Sequence, residues 1–267
     1  MPNWEIGMDL GLKGKLAVVT GGSVGIGLAV ARGFAAEGCN ILISARGAER
    51  LYVEAAGIAR DYGVDAQGVA ADVATAHGCD AVIAAAAGMG GAHILINNAG
   101  TGSNETIAEA DDAKWQYYWD LHVMAAVRLG RGLVPQMKGH GWGSIIHNAS
   151  ICAVQPLWYE PIYNTTKAAL MMFSKTLANE VVGDNIRVNT INPGLVLTPD
   201  WVKTAKQIAG EDGWQAHLQG VADEAGGLKR FATPEELASF FVFLASDKAS
   251  YSTGSTYFVD GGWLRTV

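Results

Sequence analysis

Four side chains raise the question of chemistry. Ser150 closes the run GSIIHNAS, and thirteen residues later YNTTK sets Tyr163 and Lys167 four apart. A tyrosine with the reference pKa of about 10 is too weak a base for neutral pH. On a helix, residues four apart share a face, so Lys167 lies beside Tyr163. A neighbouring ammonium favours the phenolate and lowers that pKa. A tyrosine tuned this way can give a proton to a carbonyl oxygen or take one from an alcohol. A serine hydroxyl aimed at the same oxygen steadies the charge that develops there. YxxxK alone is a weak signal, since most such pairs are plain helix surface. The fourth side chain is His122, in WDLHVMAAVRLG. Trp115, Trp119, His122, Ala126, Leu129 and Leu133 recur at helical spacing, which puts one histidine on an otherwise apolar face. Its local sequence allows two roles, a core histidine satisfied by its neighbours or a group beside a reacting centre.

The elements that must position these groups alternate steadily. The runs LAVVT, NILISA, AQGVAADV, HILINNAG, GSIIHNAS, IRVNTINPG and STYFVDGG read as seven strands, and the segments between them carry helical patterns. The repeat of strand and helix predicts βαβ units, a parallel sheet covered on both faces and one doubly wound α/β domain over 1–267. TPEELASFFVFLAS is a helix with Thr233 as N-cap and Pro234 in the first turn. The stretch 195–229 breaks the rhythm and is longer than a usual connection. It is expected to carry short helices of its own and to form a lid.

TGGSVGIG follows the first strand and opens the first helix. Gly21 permits the tight turn, Gly25 lets backbone approach a pyrophosphate, and Gly27 lets helix pack on strand. Ser23 and Ile26 lie on the same turn, whose helix N-terminus offers free N–H groups to phosphates. The spacing is GxxxGxG rather than GxGxxG, so by itself the signal is moderate. The second strand ends ISARG, with Ala45 where an acid would bind the adenosine ribose and Arg46 next to it. An arginine there suits a 2′-phosphate, so NADP(H) is favoured over NAD(H). Otherwise Arg46 is an ordinary loop arginine.

Net charge of −7 and the lack of a basic run speak against nucleic acid or an anionic membrane surface as partner. Arg128 and Arg131 are read as a solvated helix face. Cys39, Cys79 and Cys152 are far apart and form no CxxC, which fits a reduced, cytoplasmic setting. His140 and His147 lack ligand spacing, so they read as surface or packing residues and no metal is expected. The N-terminal MPNWEIGMDLGLKGK has no apolar core of the kind a signal peptide carries, and no run is long and apolar enough to span a bilayer.

Together, TGGSVGIG, NNAG (Asn97–Gly100), Ser150, YNTTK and NPGLVLT (Asn192–Thr198) resemble the short-chain dehydrogenase/reductase family, in the family's order and from Leu12 to the C-terminal FVDGGW. The resemblance implies an NAD(P)-dependent oxidoreductase interconverting a ketone and a secondary alcohol, with Tyr163 as acid/base, Lys167 and Ser150 as its partners, and the cofactor as hydride source. It places Asp72 and Val73 near the adenine, and Asn98, Ala99 and Gly100 along the cofactor. Pro193, Gly194, Val196 and Thr198 fall at the nicotinamide end. Asp72 also reads as a helix N-cap, and Thr198 as a turn residue before Pro199. The family adds an asparagine at a local helix distortion, where it helps hold a water linking the lysine to solvent. Counting seven from Trp115, that position is His122. Imidazole both donates and accepts, so it can stand in for the amide. Beside Lys167 the neutral ring is favoured. The resemblance further implies a homotetramer or homodimer with the Tyr163 helix at an interface.

Cys152, Leu157, Trp158, Tyr159, Leu195, Trp201 and Trp214 are expected to line the substrate site. That set is aromatic and apolar, which favours a small-molecule ketone or alcohol with a hydrophobic or aromatic portion. A 3-oxoacyl thioester or a sugar or polyol substrate stays open. A protein that only senses the cofactor is the alternative of another class, and it predicts damage to Ser150, Tyr163 or Lys167, all of which are intact. Replacing Tyr163 with phenylalanine is expected to abolish turnover while cofactor binding, followed by fluorescence titration, persists. Activity within about an order of magnitude of the parent overturns the proton route.

Overall fold

The computed structural model describes residues 8–265, so the part of the N-terminal reading that falls on residues 1–7 lies outside the described residues. The strands are β1 (Leu16–Thr20), β2 (Asn40–Ala45), β3 (Ala66–Ala70), β4 (Ile94–Asn97), β5 (Gly143–Asn148), β6 (Ile186–Pro193) and β7 (Thr256–Val259). The helices are α1 (Gly25–Ala36), α2 (Ala48–Tyr62), α3 (Ala76–Gly88), α4 (Asp112–Trp119), α5 (Ala125–His140), α6 (Pro161–Val181), α7 (Pro199–Ala225) and α8 (Pro234–Ala245). All strand pairings are parallel, in the order β3-β2-β1-β4-β5-β6-β7. The expected seven-stranded, doubly wound α/β sheet is therefore present. The chain winds outward from β1 to β3 and then crosses back to β4 on the other side of β1. That reversal opens a crevice beyond the carboxyl ends of β1 and β4.

Central strands covered on both faces read as continuous apolar runs. Period-two alternation still sorts their side chains. Ala17 and Val19 join Phe34 of α1 and Phe241 of α8 on one face, whereas Leu16 and Val18 join Val82 of α3, Leu129 of α5 and Leu177 of α6 on the other. Helix ends follow local chemistry. Thr233 Oγ1 accepts the Glu236 N–H, the Glu236 carboxylate accepts the Thr233 N–H, and Pro234 starts α8. At α3 the cap is Thr75, which accepts the Gly78 N–H. Asp72, read from sequence as a cap, instead accepts the Ala74 N–H at 3.0 Å one loop earlier.

Two further expectations need correction. Helices α4 and α5 are joined by a π-helical turn, Asp120–Met124. The wider turn shifts the phase of the face. Tyr118, four residues before His122, is buried, while Trp119 is 38% exposed and leaves the predicted stripe. Arg128 is not simply solvated. It donates to Asp120 Oδ1 at 2.8 Å and to the Ala74 carbonyl at 2.9 Å, tying the distorted turn to the loop after β3. The segment after β6 does carry shorter helices of its own, since α7 is two helical pieces, 199–209 and 211–225, that meet at a kink where Gly210 has φ 75° and ψ 177°.

β3 and β4 end earlier than their apolar runs, so Asp72, Val73, Asn98, Ala99 and Gly100 leave the sheet as loops at its carboxyl edge. For β4 the cause is visible. The buried Thr20 hydroxyl accepts the N–H groups of both Asn98 and Ala99, at 3.0 Å each. Valine in place of Thr20 keeps the shape and strands both donors. The expected loss is about 1–3 kcal/mol in a denaturant titration, the range for unmade buried hydrogen bonds.

Candidate active site

The first glycine turn is built by close approach. Gly21 has φ 65°, and a Cβ there would lie 3.0 Å from the Ala99 Cα. A Cβ on Gly27 would lie 2.3 Å from the Gly21 carbonyl oxygen and 2.4 Å from Asn98 Nδ2. Gly27 thus lets α1 pack closely on the turn at the end of β1 and on Asn98. Helix α1 starts without a side-chain cap. Its first N–H groups, around Gly25, Ile26 and Gly27, are left for an anion. Ser23 sits half-buried on the same turn. The turn meets the head of α7, since a Cβ on Gly25 would lie 3.5 Å from Thr198 Cγ2. Pro193 ends β6, Gly194 packs against the Asp260 backbone, and Val196 bridges to Ala232. These donors and gaps fit a dinucleotide pyrophosphate lying across the crevice. Arg46, exposed just past β2, donates from Nη1 to the Tyr117 hydroxyl at 3.1 Å.

A ladder of amides links this turn to the lysine. Asn98 Nδ2 donates to the Thr20 carbonyl at 3.0 Å, and Asn98 Oδ1 accepts from Asn148 Nδ2 at 2.8 Å. The Asn148 carbonyl in turn accepts from Lys167 Nζ at 2.8 Å. Lys167 is buried, and burial pulls its ammonium down to about 8, with Cys152 acting the other way. Nζ lies 5.3 Å from the centre of the Tyr163 ring. The Lys167 ammonium by itself does not depress the Tyr163 phenol. Burial pushes it upward, the Cys152 thiol and Glu160 add to the rise, and contact with the Ser150 hydroxyl opposes it. The desolvation of the phenolate outweighs its neighbours. Such a phenol keeps its proton at neutral pH. Ser150 Oγ accepts the Cys152 N–H at 3.1 Å, which leaves its own O–H for another oxygen.

His122 joins this group. Its Nε2 faces the Thr101 N–H at 3.4 Å, and its Nδ1 lies 2.8 Å from Thr166 Oγ1. An acceptor at Nε2 puts the ring proton on Nδ1, where it is donated to Thr166. Burial, reinforced by Lys167, holds the ring well below the ordinary histidine pKa, so it is neutral. A Cβ on Gly100 would lie 3.1 Å from His122 Nε2 and 3.6 Å from Lys167 Nζ, so that glycine leaves the space between them clear. The ring stacks edge-on with Tyr163 at 5.6 Å and Tyr118 at 5.4 Å. Three other histidines are held by packing. His140 stacks on His93 at 3.8 Å, and the buried His147 is held down to about 3. Among the described residues no cluster of histidine, cysteine and acids suits a metal, and no helix is long and apolar enough to cross a membrane.

Of the expected substrate residues, Cys152 and Leu195 are buried and Tyr159 half-buried. Leu157 is pinned by the Asn164 amide. Trp158 is 81% exposed, Trp201 stacks on Phe231 at 5.2 Å, and the Lys206 ammonium lies over the Trp214 ring. The sequence reading missed two acids. Glu160 stands three residues before Tyr163, and its Oε2 lies 3.9 Å from Cys152 Sγ. Burial pushes its carboxyl up to about 7, Cys152 pulls against the rise, and Glu105 adds to it. Glu105 is buried, takes an ion pair from Lys114, and donates its own N–H to the Tyr159 carbonyl. The available signal was an acid inside the aromatic run LWYEP, directly ahead of a helix-starting proline.

This crevice and its Ser–Tyr–Lys set are those of a nicotinamide-dependent oxidoreductase, and the chain belongs to the short-chain dehydrogenase/reductase family. It acts with NAD(P) on CH–OH or C=O groups. The profile of a family described as enoyl-(acyl carrier protein) reductase matches residues 21–264. An uncharacterised oxidoreductase of Bacillus subtilis, YvrD, is 35% identical over 97% of this chain and 100% of its own length. A 3-alpha-(or 20-beta)-hydroxysteroid dehydrogenase of Mycobacterium bovis is 37% identical over 94% of this chain and 90% of its own. Among solved structures, L-sorbose reductase from Gluconobacter frateurii, complexed with NADPH and L-sorbose, is 65% identical with a TM-score of 0.96, covering 97% of this chain and 100% of that one.

Leucine at position 122 would strand the Thr101 N–H and remove the donor to Thr166. The expected result is a kcat about tenfold lower than with asparagine there, the scale of one buried donor left without its acceptor. Parental kcat in His122→Leu would mark a packing residue only.

Proposed function

We propose that the protein is an NADPH-dependent ketose reductase, interconverting a polyhydroxylated ketone and its polyol. The observation that carries this reading is Glu160, a half-buried carboxyl group close to Tyr163. A carboxyl group withdrawn from water needs hydrogen-bond partners. The hydroxyls flanking a sugar carbonyl supply them, and a purely hydrophobic ketone does not. The likeness to L-sorbose reductase supports the same class.

In this reading Gly21, Ser23, Gly25, Ile26, Gly27, Arg46, Asp72, Val73, Asn98, Ala99, Gly100, Pro193, Gly194, Val196 and Thr198 hold the cofactor. Bound there, the cofactor would be the hydride source for the carbonyl carbon. Tyr163 donates its proton to the carbonyl oxygen, and Ser150 turns its free O–H to that oxygen. Lys167, fixed by Asn148, steadies the phenolate left behind. The neutral His122 takes the family's asparagine position, keeping the Thr101 backbone and the first turn of α6 in place. Residues 195–229 act as the lid of a single domain. Met172, 65% exposed on α6, belongs to an apolar face that suits a second subunit of a dimer or tetramer.

The pH dependence has a definite sign. With its pKa raised to about 7, Glu160 becomes the accepting carboxylate only as pH rises through that value. KM for L-sorbose is therefore expected to fall between about pH 6 and pH 8. In Glu160→Gln it should be raised about 10-fold or more, the worth of a hydrogen bond to a charged group, and be flat across that range. Steady-state rates with ketoses and with aliphatic or aromatic ketones complete the test. Faster reduction of the hydrophobic ketones, with no turnover of ketoses, overturns the reading.

A further inference from the structure

Arg46 sits at the end of β2, on one side of β1, and Tyr117 sits on α4, which follows β4 on the other side. Their 3.1 Å hydrogen bond joins positions 71 apart in sequence, on the two flanks of the strand-order reversal. Among the described residues no carboxylate pairs with Arg46, so its charge is not already spent on an ion pair. Tyr117 is a firm anchor. Its ring meets Tyr118 edge-on at 5.6 Å and packs on the apolar layer beneath α4 and α5. Tyr118 is buried and donates its hydroxyl to the Gly102 carbonyl at 2.7 Å.

We propose that Tyr117 is a positioning residue for Arg46 and thereby a determinant of preference for NADP(H) over NAD(H). The inference rests on the reading of Arg46 as the 2′-phosphate partner. An arginine has five donors in a planar fork. The Tyr117 oxygen occupies one of them at Nη1, and the rest of the fork stays available for a phosphate. An exposed arginine otherwise samples many rotamers, and fixing one before the ligand arrives lowers the entropy lost on binding. The contribution is specific to the phosphorylated cofactor, because NAD(H) presents nothing at that point for the guanidinium to grip.

Tyr117→Phe keeps the ring and its packing and deletes only the acceptor. Dissociation constants for NADPH and NADH, measured by fluorescence titration of the full chain, separate positioning from structure. The NADPH constant is expected to rise about 3- to 10-fold, a typical cost of lost preorganisation at one charged contact. The NADH constant should stay within error of the parent. In an Arg46→Ala background, itself weakened toward NADPH, the second change should add nothing. An equal rise for both cofactors, no rise for NADPH, or a full Tyr117 effect persisting without Arg46 overturns the proposal. An Arg46→Ala protein that binds NADPH as the parent does overturns the reading of Arg46 on which it stands.

Discussion

A buried ammonium is expensive to hold, and much of this structure is arranged around holding one. Lys167 is taken out of water and given a carbonyl, that of Asn148, at 2.8 Å. That carbonyl sits at the end of β5 and is aligned through Asn148 and Asn98 to Thr20, at the end of β1. The same Asn98 contacts the glycine turn. The phosphate end and the proton-transfer end of the site are thus parts of one hydrogen-bonded unit laid across three strands. Buried polar networks of this kind rigidify a site when their members are matched, and here Asn148 Oδ1 is the member left without a partner among the described residues. Threonine and asparagine at the strand ends follow from the need for matching.

The same constraint gives a reason for the π-helical turn. The extra residue between α4 and α5 rotates His122 out of a regular stripe and sets it between Tyr118, Tyr163, Thr101 and Thr166. Arg128 and Asp120 brace the distortion from the outside. Burial and the nearby ammonium both disfavour a second positive charge, so the ring stays neutral and keeps one donor and one acceptor. An amide has the same donor and acceptor capacity. That shared capacity explains how histidine can occupy a position where the family places asparagine.

Most of the framework was legible before any coordinates. Continuous apolar runs, a glycine turn after the first, and Ser150 with Tyr163 and Lys167 at fixed spacing were enough for the sheet and the family. The helix starting at Pro234 was legible to the residue, because a Thr–Pro–Glu–Glu cap is a purely local device. The alternative reading of Asp72 as a cap failed for the complementary reason. Aspartate and threonine are both good caps, and the choice between them depended on where β3 let the chain go. The stripe through Trp119 lost its phase at the π-helical turn, the local helix distortion that the family resemblance implied at His122. Glu160 was overlooked because its neighbours Leu157, Trp158 and Tyr159 are apolar or aromatic, and a carboxylate among them looks like an ordinary helix start.

The sequence by itself determined the elements, their order and the types of the reacting groups, because hydrophobic period, turn glycines and motif spacing are properties of neighbours along the chain. Only the tertiary structure decided their protonation. Tyr163 is driven up rather than down, Lys167 is brought to about 8 and Glu160 to about 7. Those shifts come from how completely each group is removed from water and from charges brought near by folding, and neither quantity is fixed by sequence distance. Tertiary structure also joined Arg46 to Tyr117 across the crevice, a contact between two segments that share no local pattern.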